Sequence, residues 1–389
     1  MSEVAQAPQL RFPEFIGEWD VTNFGNISSI KRGASPRPIS SPKWFDKDSS
    51  VGWVRISDVT KSKKYLKKTE QYLSEDGINR SRKVDKGNLI MSICATIGKP
   101  IYTNFNVCIH DGFIVFDSLS EDKGFIYYLL EKIQKKWYRY GQPGTQVNLN
   151  SDIVSSEIFS IPTKPEQQKI AAFLAAVDSK IEQLSKKQEL LGEYKKGSMQ
   201  QIFSQAIRFK ADDGSEFPDW EEKKLGGVGR IRKGSQLNKS ELTDTGDYPA
   251  INGGINPSGY TDKWNTGKNT ITISEGGNSC GYINFITSKF WSGGHCYSIE
   301  ELKGDVLNRF LFQYLKFNEH LIMRLRVGSG LPNIQKGEIN NFKVNLPSLE
   351  EQTKIANLLS SIDSKIEQVG KQLRESKQFK KALLQQMFV

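Results

Sequence analysis

The stretch EQQKIAAFLAAVDSKIEQL, residues Glu166–Leu184, returns near the other end of the chain as EQTKIANLLSSIDSKIEQV, residues Glu351–Val369. Setting Pro162 against Pro347 defines an offset of 185 residues that runs without a gap to Phe203 and Phe388. Of those 42 pairs, 19 are identical, which marks an internal duplication. The same offset places FIYYLL, from Phe125, on FLFQYL, from Phe310, and Asn148–Leu149 on Asn333–Ile334. The beginnings match too. RFPEFIGEWDVTNFGNISSIKRG, from Arg11, aligns with EFPDWEEKKLGGVGRIRKG, from Glu216, once a four-residue gap is opened in the second copy, so that Lys31, Arg32 and Gly33 face Arg232, Lys233 and Gly234. Between these ends, over residues 35–120 and 235–300, only fragments align. A solenoid repeats every 20 to 50 residues or so, so a period this long implies two whole domains with two linking elements.

The linking elements read as long helices. Ile170, Leu174, Val177, Ile181, Leu184, Gln188 and Leu191 alternate spacings of four and three, as do Ile355, Leu359, Ile362, Ile366, Val369, Leu373 and Ser376. A sustained heptad seam argues for two helices packed along each other. Prolines precede each run, and Glu166, Glu350 and Glu351 suit the positive end of a helix dipole. A helix from Glu166 to Phe203 would be about 57 Å long at 1.5 Å per residue. Two such helices in related halves pack most economically antiparallel, with related surfaces meeting reciprocally. An amphipathic helix packed on its own domain, or a homodimer seam, are the alternatives.

The chain has 389 residues, 54 Lys and Arg against 44 acids, a net charge of +10 and a pI near 9.2. That balance favours a polyanionic partner over an acidic substrate. No stretch approaches the 18 or so apolar residues of a membrane span, and the start lacks a signal-peptide pattern, so a soluble cytoplasmic protein is expected. Cys94, Cys108, Cys280 and Cys296 read as reduced thiols in buried strands.

The divergent middles alternate short β-branched runs with Gly, Asp and Asn turns, as in VGWVRISDVT and INGGINPSGY, and each precedes a helix, KGFIYYLLEKIQKKWYRYG or DVLNRFLFQYLKFNEHLIMRLR. The class is α+β. Basic and polar residues on their loops suit phosphate contact and base-edge reading: Lys31, Arg32, Arg55, Ser57, Lys61, Lys63, Lys64, Arg80, Arg82, Gln142, Thr145 and Gln146 in the first half. Arg232, Lys233, Asn252, Ser258, Tyr260, Asn278, Arg326 and Asn333 are their counterparts in the second. Lys135, Lys136 and Arg139, beside Trp137, Tyr138 and Tyr140, form a further basic and aromatic cluster. Any one such cluster also fits an ordinary solvated face.

Catalytic signatures do not assemble. There is no Asn-Pro-Pro-aromatic motif, and Gly98-Lys99 and Gly267-Lys268 are followed by Pro and Asn rather than the Ser or Thr of a phosphate-binding loop. PDWEEK, from Pro218, superficially resembles a nuclease motif, but its elements abut instead of lying on separate strands. His110 and His295 stand near Cys108 and Cys296 without metal-binding spacing.

LPSLEEQTKIANLLSSIDSKIEQ and its twin IPTKPEQQKIAAFLAAVDSKIEQ resemble the helical regions of the specificity (S) subunits of type I restriction-modification enzymes. The likeness extends to LRFPEF with Trp19, to EFPDWEEKKLG, and to INGGINPSGY with TITISEGG. The resemblance implies two globular target recognition domains, twisted sheets with short helices, separated by two long helices in an antiparallel coiled coil with a pseudo-twofold internal repeat. The expected divisions are residues 1–160 and 208–345 for the recognition domains, and 161–207 and 346–389 for the helical regions. Each recognition domain would read one half of a bipartite duplex DNA target. The helices would set the spacer and dock two methyltransferase subunits, with motor-nuclease subunits joining the full complex. No cofactor is expected in this chain, since S-adenosylmethionine, ATP and magnesium would belong to those partners. Outward lysines of the helices, Lys169, Lys180, Lys354 and Lys365, become candidates for partner contact. A non-catalytic DNA-binding subunit is the reading adopted; an unrecognised nuclease or methyltransferase, or a scaffold, are its rivals.

Overall fold

Proline at the second helical position, an unbroken run beyond it, and the heptad seam produce a 40-residue helix, Lys164–Phe203; the same seam, with Pro347 just ahead of the helix and acids in its first turn, produces a 38-residue helix, Leu349–Gln386. The computed structural model describes residues 7–140, 149–328 and 330–389. The chain forms two compact units, Met1–Ser185 with Lys371–Val389, and Lys186–Gly370. Each unit therefore contains the beginning of one long helix and the end of the other.

In the first unit a five-stranded sheet runs in the order Ser29–Arg32, Phe113–Asp117, Leu89–Ser92, Pro100–Thr103, Tyr65–Leu66. A four-stranded sheet follows the order Gln71–Tyr72, Gly52–Val54, Val107–Ile109, Arg82–Val84. Asp20–Asn23 pairs antiparallel with Ile158–Ile161, which leads straight into the first long helix. The second unit has a four-stranded sheet, Arg230–Lys233, Cys296–Glu300, Thr270–Ser274, Ile283–Ile286, and a three-stranded one, Gly259–Thr261, Tyr248–Ile251, Trp291–Ser292. Glu221–Lys224 pairs with Lys343–Leu346 ahead of the second long helix.

The seam residues are buried or half-buried throughout both helices. In the first unit Ile170 and Leu174 share a core with Leu383, Met387, Phe388 and the helix Lys123–Ile133. In the second, Ile355 and Leu359 share one with Met199, Ile202 and the helix Asn308–Phe317. The two long helices run antiparallel in each unit. Glu166 lies beside Arg11, whose neighbour Leu10 donates to Gln386 O, while twelve residues further along Asp178 meets Lys380.

The Glu-Gln pair opening each repeat explains its own identity. Glu166 is 1% exposed and takes Arg11 Nε at 2.7 Å; Glu351 is fully buried and takes Arg208 at 2.8 Å and Trp220 Nε1 at 3.1 Å. Gln167 donates to Pro162 O and accepts from Asp122 N, and Gln352 donates to Pro347 O and accepts from Leu307 N. Buried polar groups this well matched hold the helix starts onto the sheets. Lys169 and Lys354 are tied into the same joints, by Glu14 and Asp212; Lys180 and Lys365 are exposed. PDWEEK is part of this brace as well: Asp219 lies 3.6 Å from Arg208, Trp220 contacts Glu351, and the strand Glu221–Lys224 follows.

Some local expectations are corrected. The segment after Lys123 is α-helical only to Ile133 and continues as a 3-10 helix, Gln134–Tyr140. The segment from Asp305 breaks at Asn318, whose side chain donates to Tyr314 O, splitting it into Asn308–Phe317 and Glu319–Met323. Cys108 and Cys296 are buried in strands as expected; Cys280 is buried but follows the short 3-10 helix Gly277–Ser279, and Cys94 lies on a half-exposed bend. Desolvation raises the thiol pKa of the three buried cysteines.

Candidate nucleic-acid interface

Both units place the glycine that follows a sheet strand, Ser29–Arg32 or Arg230–Lys233, against one tight loop. Gly33 N donates to Phe113 O, and Gly234 N to Cys296 O, each at 2.9 Å. A Cβ on Gly33 would stand 2.1 Å from His110 O, and one on Gly234 2.3 Å from Gly293 O, so only glycine admits the approach. Next to this contact, Ile93 N donates to Gly112 O and Ile93 O accepts from Leu149 N. Glu275 N donates to His295 O, and Glu275 O accepts from Ile334 N. Ile93 and Glu275 therefore occupy the same place in a shared frame, with different side chains.

Around that place the first unit gathers arginines. Val54 and Arg82 both pair with Ile109, so Arg55, Arg82 and His110 emerge together. Arg32 Nε donates to Asp111 O at 2.8 Å, Arg82 Nε to Arg32 O at 3.1 Å, and Ser35 Oγ to Asp111 Oδ1 at 2.8 Å. Arg37 stands 3.6 Å from the Asp111 carboxylate. Burial works against the Asp111 charge, yet Ser35, His110 and Arg32 together hold its carboxyl below the usual range. Burial, helped by Arg55, lowers the His110 pKa against the pull of Asp111, and Gly112 N donates to its Nδ1 at 2.8 Å. The ring is therefore neutral near pH 7, with Nε2–H as a donor.

The second unit builds a different set. Lys233 donates to Glu275 Oε1 at 2.5 Å, Tyr297 Oη donates to the same oxygen at 3.0 Å, and His295 Nδ1 stands 3.4 Å from Oε2. Burial opposes the Glu275 charge, but Lys233, Tyr297 and His295 outweigh it and hold the carboxyl pKa below its ordinary value. Four loops close on this group. Asn252 Oδ1 accepts from His295 N, Ser279 Oγ donates to Gly253 O, Gly277 N donates to Pro332 O, and Val327 bridges Asn333.

The structure thus brings Arg32, Arg55 and Arg82 together in the first unit, and Lys233, Asn252, Asn278, Arg326 and Asn333 in the second, with Asn278 and Arg326 exposed. It separates others from these clusters. Successive side chains on a strand face opposite ways, so Lys31 pairs with Asp117, and Arg232 with Glu300 at 3.5 Å, away from the loops that Arg32 and Lys233 face. Ser57 and Lys63 are exposed, Lys61 pairs with Glu70 at 2.6 Å, and Arg80 stacks over Trp44. Ser258 and Tyr260 lie on or beside the edge strand of the separate three-stranded sheet. Lys64 turns inward, donating to Tyr128 Oη at 2.9 Å over the rings of Tyr127 and Tyr128, and burial lowers its pKa. The cluster after Lys135 is a brace, with Lys136 and Arg139 holding Glu157, which is 2% exposed, and Trp137 buried. Gln142, Thr145 and Gln146 lie outside the described residues. Sequence reading missed Arg37, His110, Asp111, Glu275, His295 and Tyr297; only the TISEGG stretch, already noted for its resemblance, pointed at any of them. Among the described residues no group of three or more His, Cys, Asp or Glu side chains could hold a metal ion, and no helix is long and apolar enough to cross a membrane.

Residues 16–191 and 218–375 match the family described as type I restriction modification DNA specificity domain. The chain is 24% identical over 419 aligned positions to the type I restriction enzyme MjaVIII specificity subunit of Methanocaldococcus jannaschii, covering 96% of this chain and 92% of that one. It is 31% identical over 172 residues to a protein named as a type I specificity subunit in Mycoplasma pneumoniae, covering 44% of this chain. The match spans under half the length of that relative and of another from Mycoplasma genitalium, 46% and 40%. The fold is that of a crystallised type I S subunit from M. genitalium, with a TM-score of 0.69 at 19% identity over 98% of this chain and 99% of that one. With the family matched across both halves of the duplication, and both halves carrying one frame dressed with different loop residues, the chain belongs to the type I restriction-modification DNA specificity family.

Proposed function

We propose that this chain is the DNA-reading subunit of a type I restriction-modification complex, in which each unit reads one half of a bipartite target. The observation that carries the proposal is the shared frame. Ile93 and Glu275 hold equivalent backbone positions, yet Ile93 is an apolar core residue beside a loop that arginines bind, whereas Glu275 belongs to a Lys-Glu-His-Tyr cluster. A duplicated scaffold with individual loops suits two different half-sites. The net charge of +10 supplies the non-specific attraction to phosphates on which base reading is superimposed.

The recognition domains are residues 1–160 and 208–345, and the helical regions 161–207 and 346–389 are the spacer and the docking surface for two methyltransferase subunits. S-adenosylmethionine chemistry resides in those partners, and ATP- and magnesium-dependent steps in motor-nuclease subunits; this chain itself is non-catalytic and works in the cytoplasm. A spacer near one turn of duplex between half-site centres suits two readers on one face. Mapping methylated adenines in cells carrying this chain with its methyltransferase tests the reading. Replacing residues 35–120 by those of a relative with another specificity changes one half-site and leaves the other; change in both, or in neither, refutes it.

A further inference from the structure

The duplication provides an internal control for Glu275. At the equivalent frame position Ile93 is 1% exposed and packs among apolar neighbours, so the backbone arrangement requires no carboxylate there. A carboxylate drawn into a largely buried position loses hydration, and an aliphatic residue of similar volume is often as stable or more so. Glu275 nevertheless keeps its charge, and its side chain retains 11% exposure beside the half-exposed Lys233. Two of its interactions engage Oε1, while Oε2 meets His295 at 3.4 Å, a side chain that is itself 64% exposed.

We propose that Glu275 and Lys233 form a specificity-determining pair of the second unit that reads one C·G base pair of its half-site, an inference that rests on the function proposed above. Oε2 accepts from the exocyclic amino group of cytosine, and the Lys233 ammonium, already hydrogen-bonded to Oε1, donates to guanine O6 or N7. In the major groove the cytosine amino donor and guanine O6 acceptor lie side by side in one pair, and a joined acceptor and donor on the protein match them. His295 swings aside as Oε2 engages, and Tyr297, bonded to Oε1, keeps the carboxylate from following it.

The test maps adenine methylation in cells carrying the full-length chain and its methyltransferase, comparing wild type with Glu275→Gln and Glu275→Ile. The second variant copies the first unit's own solution and guards against misfolding. The expected result is a two-part motif for wild type and, for both variants, loss of discrimination at a single C·G position of one half-site by about 5- to 150-fold, with the other half unchanged. An unchanged motif in both variants overturns the proposal, as does relaxation at an A·T position. If a variant abolishes methylation, competition binding of the purified chain to its target and to versions carrying T·A at each C·G position decides: full discrimination retained overturns it, and discrimination lost at one position supports it. Absence of any two-part motif in wild type would instead count against the underlying function.

Discussion

Lys380 and Lys195 stand at equivalent positions of the duplication, and replacing each by alanine should have unequal effects. Lys380 Nζ lies 2.8 Å from Asp178 and 2.8 Å from Glu131, with 13%, 25% and 30% of the three side chains exposed, and Asp178 also accepts from Tyr128 Oη at 2.7 Å. Removing the ammonium leaves two largely desolvated carboxylates facing each other across one site. An exposed ion pair contributes about 0–1 kcal/mol, and breaking a buried one costs about 3–5 kcal/mol, so a site this sheltered should lose roughly 2–3 kcal/mol. Among the described residues Lys195 meets Asp363 alone, at 2.7 Å, and that carboxylate is 41% exposed and receives a second bond from Gln313. Its loss should cost about 1 kcal/mol or less. Because the two units need not unfold together, a single melting curve is a poor reporter. Native-state hydrogen exchange on the helices Lys123–Ile133 and Asn308–Phe317 reads each unit separately. Equal loss of protection in the two units, or a larger loss in the second, would refute the reasoning that carboxylate crowding and burial set the difference.

Leu174→Ala and Leu359→Ala, each fully buried in its own unit, should each cost about 2–5 kcal/mol, seen as loss of exchange protection in that unit alone. Lys63→Glu should weaken binding to every duplex and reduce the salt slope by about one, whereas Lys64→Glu, placing a carboxylate beside Asp178, Tyr127 and Tyr128, should lower hydrogen-exchange protection in the first unit. Four residues inserted between Ser185 and Lys186 should change the spacer of the methylated motif and leave both half-site sequences as they were; an altered half-site would count against the helices as a spacer.

The helical repeat was legible because periodicity and register survive without gaps, and the structure uses both. The interface was only partly legible. Gly33 and Gly234 are 201 residues apart, whereas Leu149 and Ile334 are 185 apart, so insertions and deletions between them hide which middle residues correspond. Lysines gave the weakest guidance. Lys63 and Lys64 are neighbours of the same type, yet one is exposed and the other closes over tyrosines, and Lys31 and Arg32 face opposite ways from one strand.

What the sequence by itself determined was the duplication, the two long helices with their heptad seam, and the family, because a helix's apolar stripe and its terminal residues are local properties written at fixed spacing. Only the tertiary structure decided which charges serve the scaffold and which remain to meet a partner. Glu166 and Glu351 are consumed in holding helix to sheet, while Glu275, less deeply buried, has the apolar Ile93 as its counterpart in the shared frame. The physical reason is that a charged side chain's role depends on what lies within a few ångströms of it in space, and residues far apart in the chain supply those neighbours.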